Sequence, residues 1–175
     1  MKQLDGTNMK RLHREWRRRT TGRVALLLDN VQIPVNVGSI VRAAAAYRVE
    51  HLWLVGATAA PGHPGARKTA LGSERFLTWT QTADAASALA EAREDGYRIV
   101  GLELADGARP LFEVDLREPV CLAVGHEDRG LSPATLGACD DVGFIPQLGR
   151  VGSLNVATAT AVALYEARRQ EWMTS

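Results

Sequence analysis

Short apolar runs alternate along this chain with alanine-rich stretches of helical period. Val24 to Leu28, His51 to Val55, Arg98 to Leu104, Val120 to Val124 and Val142 to Ile145 read as strands, with Phe76 to Trp79 as a further short one. Gly38 to Arg48 and Ala83 to Asp95, the latter stopped by Gly96, read as helices. Ser132 to Gly137 opens with a capping serine before a ring-fixed Pro133, a good helix start. The last helix is expected from about Leu154 toward Trp172, with Arg168 and Arg169 suiting its negative end. Ala57 to Gly72, with Pro61, Gly62, Pro64 and Gly65, reads as a long loop, and Asp106 to Glu118 as connecting chain with at most a helical turn. Regular β and α alternation predicts an α/β fold, a mainly parallel sheet with helices on both faces.

Three of the connections stand out. Asn30 to Arg42 follows the first strand, Gly125 to Ser132 follows Val120 to Val124, and Pro146 to Asn155 follows Val142 to Ile145. Each is polar, carries glycine and leads from a buried strand into a helix. In open α/β sheets such loops gather at the carboxyl edge, where ligands bind. Ser153 and Asn155 either cap the last helix or bind a guest.

At 175 residues and 46% hydrophobic content the chain can bury one sizeable core. No run approaches the roughly 20 apolar residues that cross a bilayer, and the N-terminus lacks the apolar centre of a signal peptide. Cys121 and Cys139 have neither metal-ligand spacing nor the look of a disulfide framework. The four histidines show no metal spacing, so no metal is expected. A cytoplasmic protein without a membrane partner is the expectation. The net charge of +1 hides an asymmetry, because residues 1–23 carry eight Lys or Arg against Asp5 and Glu15, or +6, leaving −5 for the rest. Leu12 and Trp16 would share one face of a helix here. The basic stretch is therefore either a solvated or frayed terminus or a phosphate-binding arm.

The turn after the first strand, Asp29-Asn-Val-Gln-Ile-Pro-Val-Asn, is not a Gly-x-Gly-x-x-Gly dinucleotide fingerprint. Neither a P-loop nor a Gly-x-Ser-x-Gly nucleophile elbow occurs. The motifs Asn36-x-Gly38-x-x-x-Arg42, Gly125-x-Glu127-x-x-Gly130-Leu-Ser and Ile145-Pro with Ser153-Leu-Asn155 resemble, in order and spacing, those of the SPOUT RNA methyltransferases, SpoU/TrmH branch. The resemblance runs from about Val24 to Arg169. It implies a basic extension (1–23) before a SPOUT domain (24–175), a C-terminal deep trefoil knot, a homodimer, and S-adenosyl-L-methionine as methyl donor to a ribose 2′-hydroxyl.

The resemblance also implies roles. Leu102, Gly125, Ile145, Ser153 and Leu154 would hold the donor. Arg42 would be catalytic, with Asn36, Glu127, Ser153 and Asn155 around it. A guanidinium stays protonated in proteins, so Arg42 is expected to clamp the neighbouring phosphate and the developing alkoxide, leaving the proton to phosphate or solvent. Asn36 and Asn155 have helix capping as their plain alternative, and Glu127 a surface acid. Candidate RNA contacts are Lys10, Arg11, Arg14, Arg17, Arg18, Arg19, Arg67, Lys68, Arg168 and Arg169. The basic arm and the ending Tyr165-Glu-Ala-Arg-Arg-Gln170 are most similar to enzymes of tRNA ribose, the D-loop guanosine first and the wobble ribose second, with ribosomal RNA third. The rivals are a knotted RNA-binding protein without activity and a methyltransferase for a protein or small molecule.

Overall fold

The computed structural model describes residues 1–117 and 119–174; Glu118, at the end of the expected connecting stretch, and Ser175 lie outside them. Among the described residues, seven parallel strands form one sheet: β1 (Val24–Asp29), β2 (His51–Val55), β3 (Thr78–Thr82), β4 (Arg98–Leu102), β5 (Arg109–Pro110), β6 (Val120–Val124) and β7 (Asp141–Phe144). Their spatial order is β3-β2-β1-β6-β4-β7-β5. Because all run the same way, the carboxyl ends of β1, β6, β4 and β7 stand side by side on one edge.

Every residue of β1 is buried, as a central strand covered on both faces requires. Val24, Leu26 and Leu28 pack with Ile40 and Val41 of α2 (Pro34–Ala46), Ala66 of α3 (Pro64–Ala70) and Leu164 of α6 (Val156–Met173). Ala25 and Leu27 face the other way, toward Ala88, Leu89 and Ala92 of α4 (Ala85–Glu94) and Leu136 of α5 (Pro133–Gly137). A one-residue slip of β1 would exchange these two sets.

Several expected boundaries move. Helix α2 begins at Pro34 instead of Gly38, with proline in its first turn. The stretch expected as a long loop contains α3, capped by the His63 side chain at Gly65 N and opened by Pro64. The short strand expected at Phe76 lies at Thr78–Thr82, since Ser73–Phe76 turns as a 3-10 segment. Two residues of the expected connecting chain, Arg109 and Pro110, pair with β7 at the sheet edge. The last helix starts at Val156, two residues late, and runs to Met173, so Arg168 and Arg169 lie inside it and not at its negative end.

The basic N-terminal segment is helix α1 (Gly6–Arg19), capped by Asp5, with no buried residue. Its far end is anchored on α6. The Trp16 and Trp172 rings lie 4.9 Å apart, and Trp172 Nε1 donates to Thr20 Oγ1 at 2.8 Å. The Glu171 carboxylate accepts from Thr21 N and Gly22 N at 2.6 and 2.7 Å.

Arg168 completes this anchor, and its expected role as an RNA contact is corrected. The side chain is 2% exposed. It donates to the carbonyls of Tyr47 (2.9 Å), Gly22 (2.7 Å) and Arg48 (3.0 Å), and pairs with Glu171 at 3.1 Å. A guanidinium buried among these four acceptors cannot reach a phosphate on the surface. Burial pulls its pKa down, and Glu171 partly restores it. Arg169 keeps a 40% exposed side chain and pairs with Glu166 at 2.8 Å.

Removing one partner of a buried ion pair strands the other, whereas an exposed pair contributes little. Arg168→Leu should therefore destabilise the protein by about 3–5 kcal/mol and Arg169→Ala by about 0–1 kcal/mol. Urea midpoints check this; equal losses would mean that Arg168 is not the anchor.

Candidate active site

Glu127, Asn36 and Asn155 come from the loop after β6, the first turns of α2 and the start of α6, and side-chain hydrogen bonds join them. Asn36 Nδ2 donates to Glu127 Oε1 at 2.9 Å, and Asn155 Nδ2 donates to Asn36 Oδ1 at 2.9 Å. Asn36 is 7% exposed, so these partners replace the water it has lost. The three loops singled out by sequence thus meet through three side chains.

Each helix start is closed by this group. No side chain of α2's own N-cap bonds its first amides. Glu127 accepts from Gln32 N (3.3 Å) and Ile33 N (3.1 Å), the two residues just before the helix, which sets a carboxylate near its positive end. Asn36 is inside α2 and is not its cap. Asn155 does cap α6, its Oδ1 accepting from Ala157 N and Thr158 N at 3.0 and 3.3 Å, and still reaches Asn36 with its nitrogen. Capping and bridging coexist in one residue. Ser153, outside the helix, is exposed and free of the capping role.

Burial alone would raise the Glu127 pKa above the ordinary 4.5, but the Asn36 amide and the loop N–H groups outweigh it and the value falls. Asp29, at the end of β1 and 1% exposed, behaves alike. Its Oδ2 accepts from Ser132 N at 2.9 Å and its Oδ1 from Asn30 Nδ2 at 2.8 Å. Burial pushes its pKa up, and the hydrogen bonds from Ser132, Thr135 and Asn30 bring it below 3.8. Both carboxylates stay ionised at neutral pH. A carboxylate held low is a poor proton acceptor, so both suit positioning.

Beside the linked side chains lie two adjoining hollows of about 400 and 300 Å³. Leu102, Glu103, Ser153, Leu154 and Ala159 line both. The first adds Ile145 and the 147–152 loop; the second adds Gly125 and Glu127. All five expected donor residues are therefore brought together. The mix of apolar side chains, backbone groups and a few polar ends suits a nucleoside-sized ligand. A Cβ on Gly125 would lie 2.1 Å from the Gly130 carbonyl carbon and 2.2 Å from Leu131 N. Glycine there sets the shape of the loop itself, which closes through paired backbone hydrogen bonds between His126 and Gly130.

Sequence reasoning missed Glu103 and Ala159. Glu103 Oε2 accepts from Leu131 N at 2.9 Å and ties the end of β4 to the Gly125 loop. It fell at the end of an expected strand, and only the register of β4 beside β6 brings it to that loop. Gly38 turns out to be a packing residue, since a Cβ there would lie 2.0 Å from Ala66 O of α3. Arg42 is exposed on α2, and its side chain makes no hydrogen bond or ion pair with another described residue. Lys10, Arg11, Arg14, Arg17, Arg18 and Arg19 are exposed along α1, as are Arg67 and Lys68 on α3.

A parallel sheet with a nucleoside-sized hollow at its carboxyl edge and three loops locked across it has the layout of α/β proteins whose ligands bind beyond the strand ends. The chain belongs to the SpoU rRNA Methylase family, whose sequence profile matches residues 23–165. It is 36% identical over 146 residues to a 23S rRNA (guanosine-2'-O-)-methyltransferase of Acinetobacter baylyi, covering 83% of this chain and 59% of that protein. It is 33% identical to a tRNA (guanosine(18)-2'-O)-methyltransferase of Thermus thermophilus, covering 97% of this chain and 86% of that one. The SpoU methyltransferase AviRb of Streptomyces viridochromogenes, solved with AdoMet, superposes with a TM-score of 0.78 at 31% identity, covering 86% of this chain and 58% of that one. The chain spans less than two thirds of several of these relatives, 56% of a Synechocystis tRNA/rRNA methyltransferase among them.

A folded-state pKa below the unfolded one stabilises the protein above the unfolded pKa, and that stability is lost as pH falls through the folded value. Stability should thus decline on acidification below about pH 4.5, the ordinary glutamate range. Glu127→Gln should flatten the decline while lowering stability at neutral pH. Urea midpoints between about pH 3 and pH 7 test this; an unchanged acid slope would show that Glu127 gains nothing from its partners.

Proposed function

We propose that the protein is an S-adenosylmethionine-dependent RNA methyltransferase acting on a ribose 2′-hydroxyl. The observation that carries this reading is the nucleoside-sized hollow bounded by the ends of β4, β6 and β7 and tied by Asn155, Asn36 and Glu127 to the helix bearing Arg42. Leu102, Gly125, Ile145, Ser153 and Leu154 are the donor's contacts, with Glu103 fixing the loop around it. When bound, the donor supplies an activated methyl on a sulfonium. This chain supplies alignment, a large term in such displacements.

Glu127 and Asn155 hold Asn36 and the start of α2 rigid. Arg42 stands outside that hydrogen-bonded group, its guanidinium open to solvent. We infer that it clamps the phosphate beside the target ribose and steadies the developing alkoxide, while the hydroxyl proton leaves to phosphate oxygen or solvent. A single chain offers one such arginine and one donor hollow, and we propose a homodimer that completes the site. We propose further that residues 24–175 are a SPOUT domain with a C-terminal trefoil knot, and that residues 1–23 are a basic extension. The return of α6 across the sheet to pack on α2 is compatible with the knot.

The favoured substrate is tRNA, at the D-loop guanosine. What supports this is the likeness to the Thermus thermophilus tRNA enzyme, which extends over 97% of this chain, whereas the 23S ribosomal RNA relative matches 83%. That relative keeps ribosomal RNA as the second reading. The exposed cations of α1 suit a polyanion under either. Among the described residues no helix is long and apolar enough to cross a membrane, and a cytoplasmic site of action goes with the RNA substrate.

Chemistry and capture should separate. Arg42→Ala should cut single-turnover methylation by about 100-fold or more, and Arg42→Lys should restore little, because a point charge lacks the planar fork. Alanine at Arg17, Arg18 and Arg19 together should weaken RNA binding and flatten its salt dependence, with the saturated rate kept. A triple variant that loses its saturated rate while Arg42→Ala keeps it would reverse these assignments.

A further inference from the structure

The segment between α3 and β3 carries features that folding leaves unused. Leu71, which closes α3, stands in the left-handed region at φ 52° with 65% of its surface exposed. Bulky side chains disfavour that conformation, and Leu71 regains nothing through burial. Phe76 is 69% exposed, and the Arg75 guanidinium lies over its ring, 4.7 Å from the centroid. Arg67 and Lys68 are exposed on the preceding turn of α3. Against these three cations the segment 64–76 has one acid, Glu74. Its Oε1 lies 3.8 Å from Arg67 Nε, a loose pair with a side chain that remains 67% exposed.

This surface is fixed beside the active site. Thr69 Oγ1 donates to Val35 O at 2.9 Å, one residue before Asn36. The close approach of Gly38 to Ala66 O locks α3 against α2. Whatever binds at 67–76 therefore sits next to the helix that carries Asn36 and Arg42.

An exposed aromatic ring with a guanidinium over it and two more cations nearby matches the chemistry of an unpaired nucleotide. The base stacks on the ring or on the guanidinium plane, and the phosphates meet the cations. A second copy of this chain fits less well, since three cations would need acids opposite them. Resting on the RNA methyltransferase reading, we propose that residues 67–76 form a platform for an unpaired nucleotide flanking the methylated ribose. Phe76 and Arg75 stack its base, and Arg67 and Lys68 hold its phosphates. Stacking accepts any base, so the platform sets where the RNA lies and leaves base identity to other contacts.

The test uses the full-length protein with unmodified transcripts of tRNA and of 23S ribosomal RNA. On whichever RNA the wild type methylates, Phe76→Ala should raise KM for RNA about 10-fold or more, with KM for the methyl donor unchanged. Phe76→Trp should restore it, and Phe76→Leu, of similar bulk without a ring face, should not. Lys68→Ala should lower the salt slope of RNA binding by about 1 while Phe76→Ala leaves it unchanged. An unaltered KM in Phe76→Ala, or full rescue by Phe76→Leu, overturns the platform. Light scattering that shows Phe76→Ala dissociating a dimer also overturns it, by making this face a contact between copies. A wild type that methylates neither RNA overturns the underlying reading and the platform with it, an outcome distinct from the others.

Discussion

Asn36 donates to Glu127 and accepts from Asn155, and those two bonds draw together loops that the sequence separates by about a hundred residues. Buried polar groups of this kind stabilise only when every member is satisfied. Asn36 could not stay 7% exposed without both partners. Glu127 in turn accepts from the amides of Gln32 and Ile33, the two residues just before α2, and so fixes the approach to that helix. Satisfying the backbone at two helix starts and shaping the wall of the site are one interaction.

The opposite end of the molecule follows the same logic with charge in place of amides. Arg168 and Glu171 meet the free carbonyls and amides where the basic arm, the end of α2 and α6 converge. The arm's remaining cations are left on an exposed helix whose position is set by Trp16 and Trp172. One arginine is spent on holding the others in place. The exposed cations of the arm and the hollow proposed for the methyl donor thus sit on a common frame, with α6 contributing to both.

How far the sequence discloses this depends on the kind of signal. The sheet was legible because β1 and β6 are continuous apolar runs bounded by turn residues. The three loops were legible because glycines and short polar residues stood together after those runs. Helix α3 was not, because Pro61, Gly62, Pro64 and Gly65 read as breakers, while in fact Pro64 occupies the first turn, where proline is tolerated. Arg168 was misread although a signal existed. Thr160, Leu164, Ala167 and Arg168 share the buried stripe of α6, and an arginine on such a stripe is spoken for. Glu103 had no local signal, because its role depends on which strands are neighbours.

We propose that the loops after β4, β6 and β7 form one hollow for the methyl donor. Ala159, on the first turns of α6, borders both parts of it without belonging to the buried core. Calorimetric titration of S-adenosylmethionine into the wild type and Ala159→Leu tests it directly. Saturable binding to the wild type is expected, with an affinity at least about 10-fold weaker, about 1.4 kcal/mol, in a folded Ala159→Leu protein. Equal affinity in the two proteins, or no binding to the wild type, would contradict it.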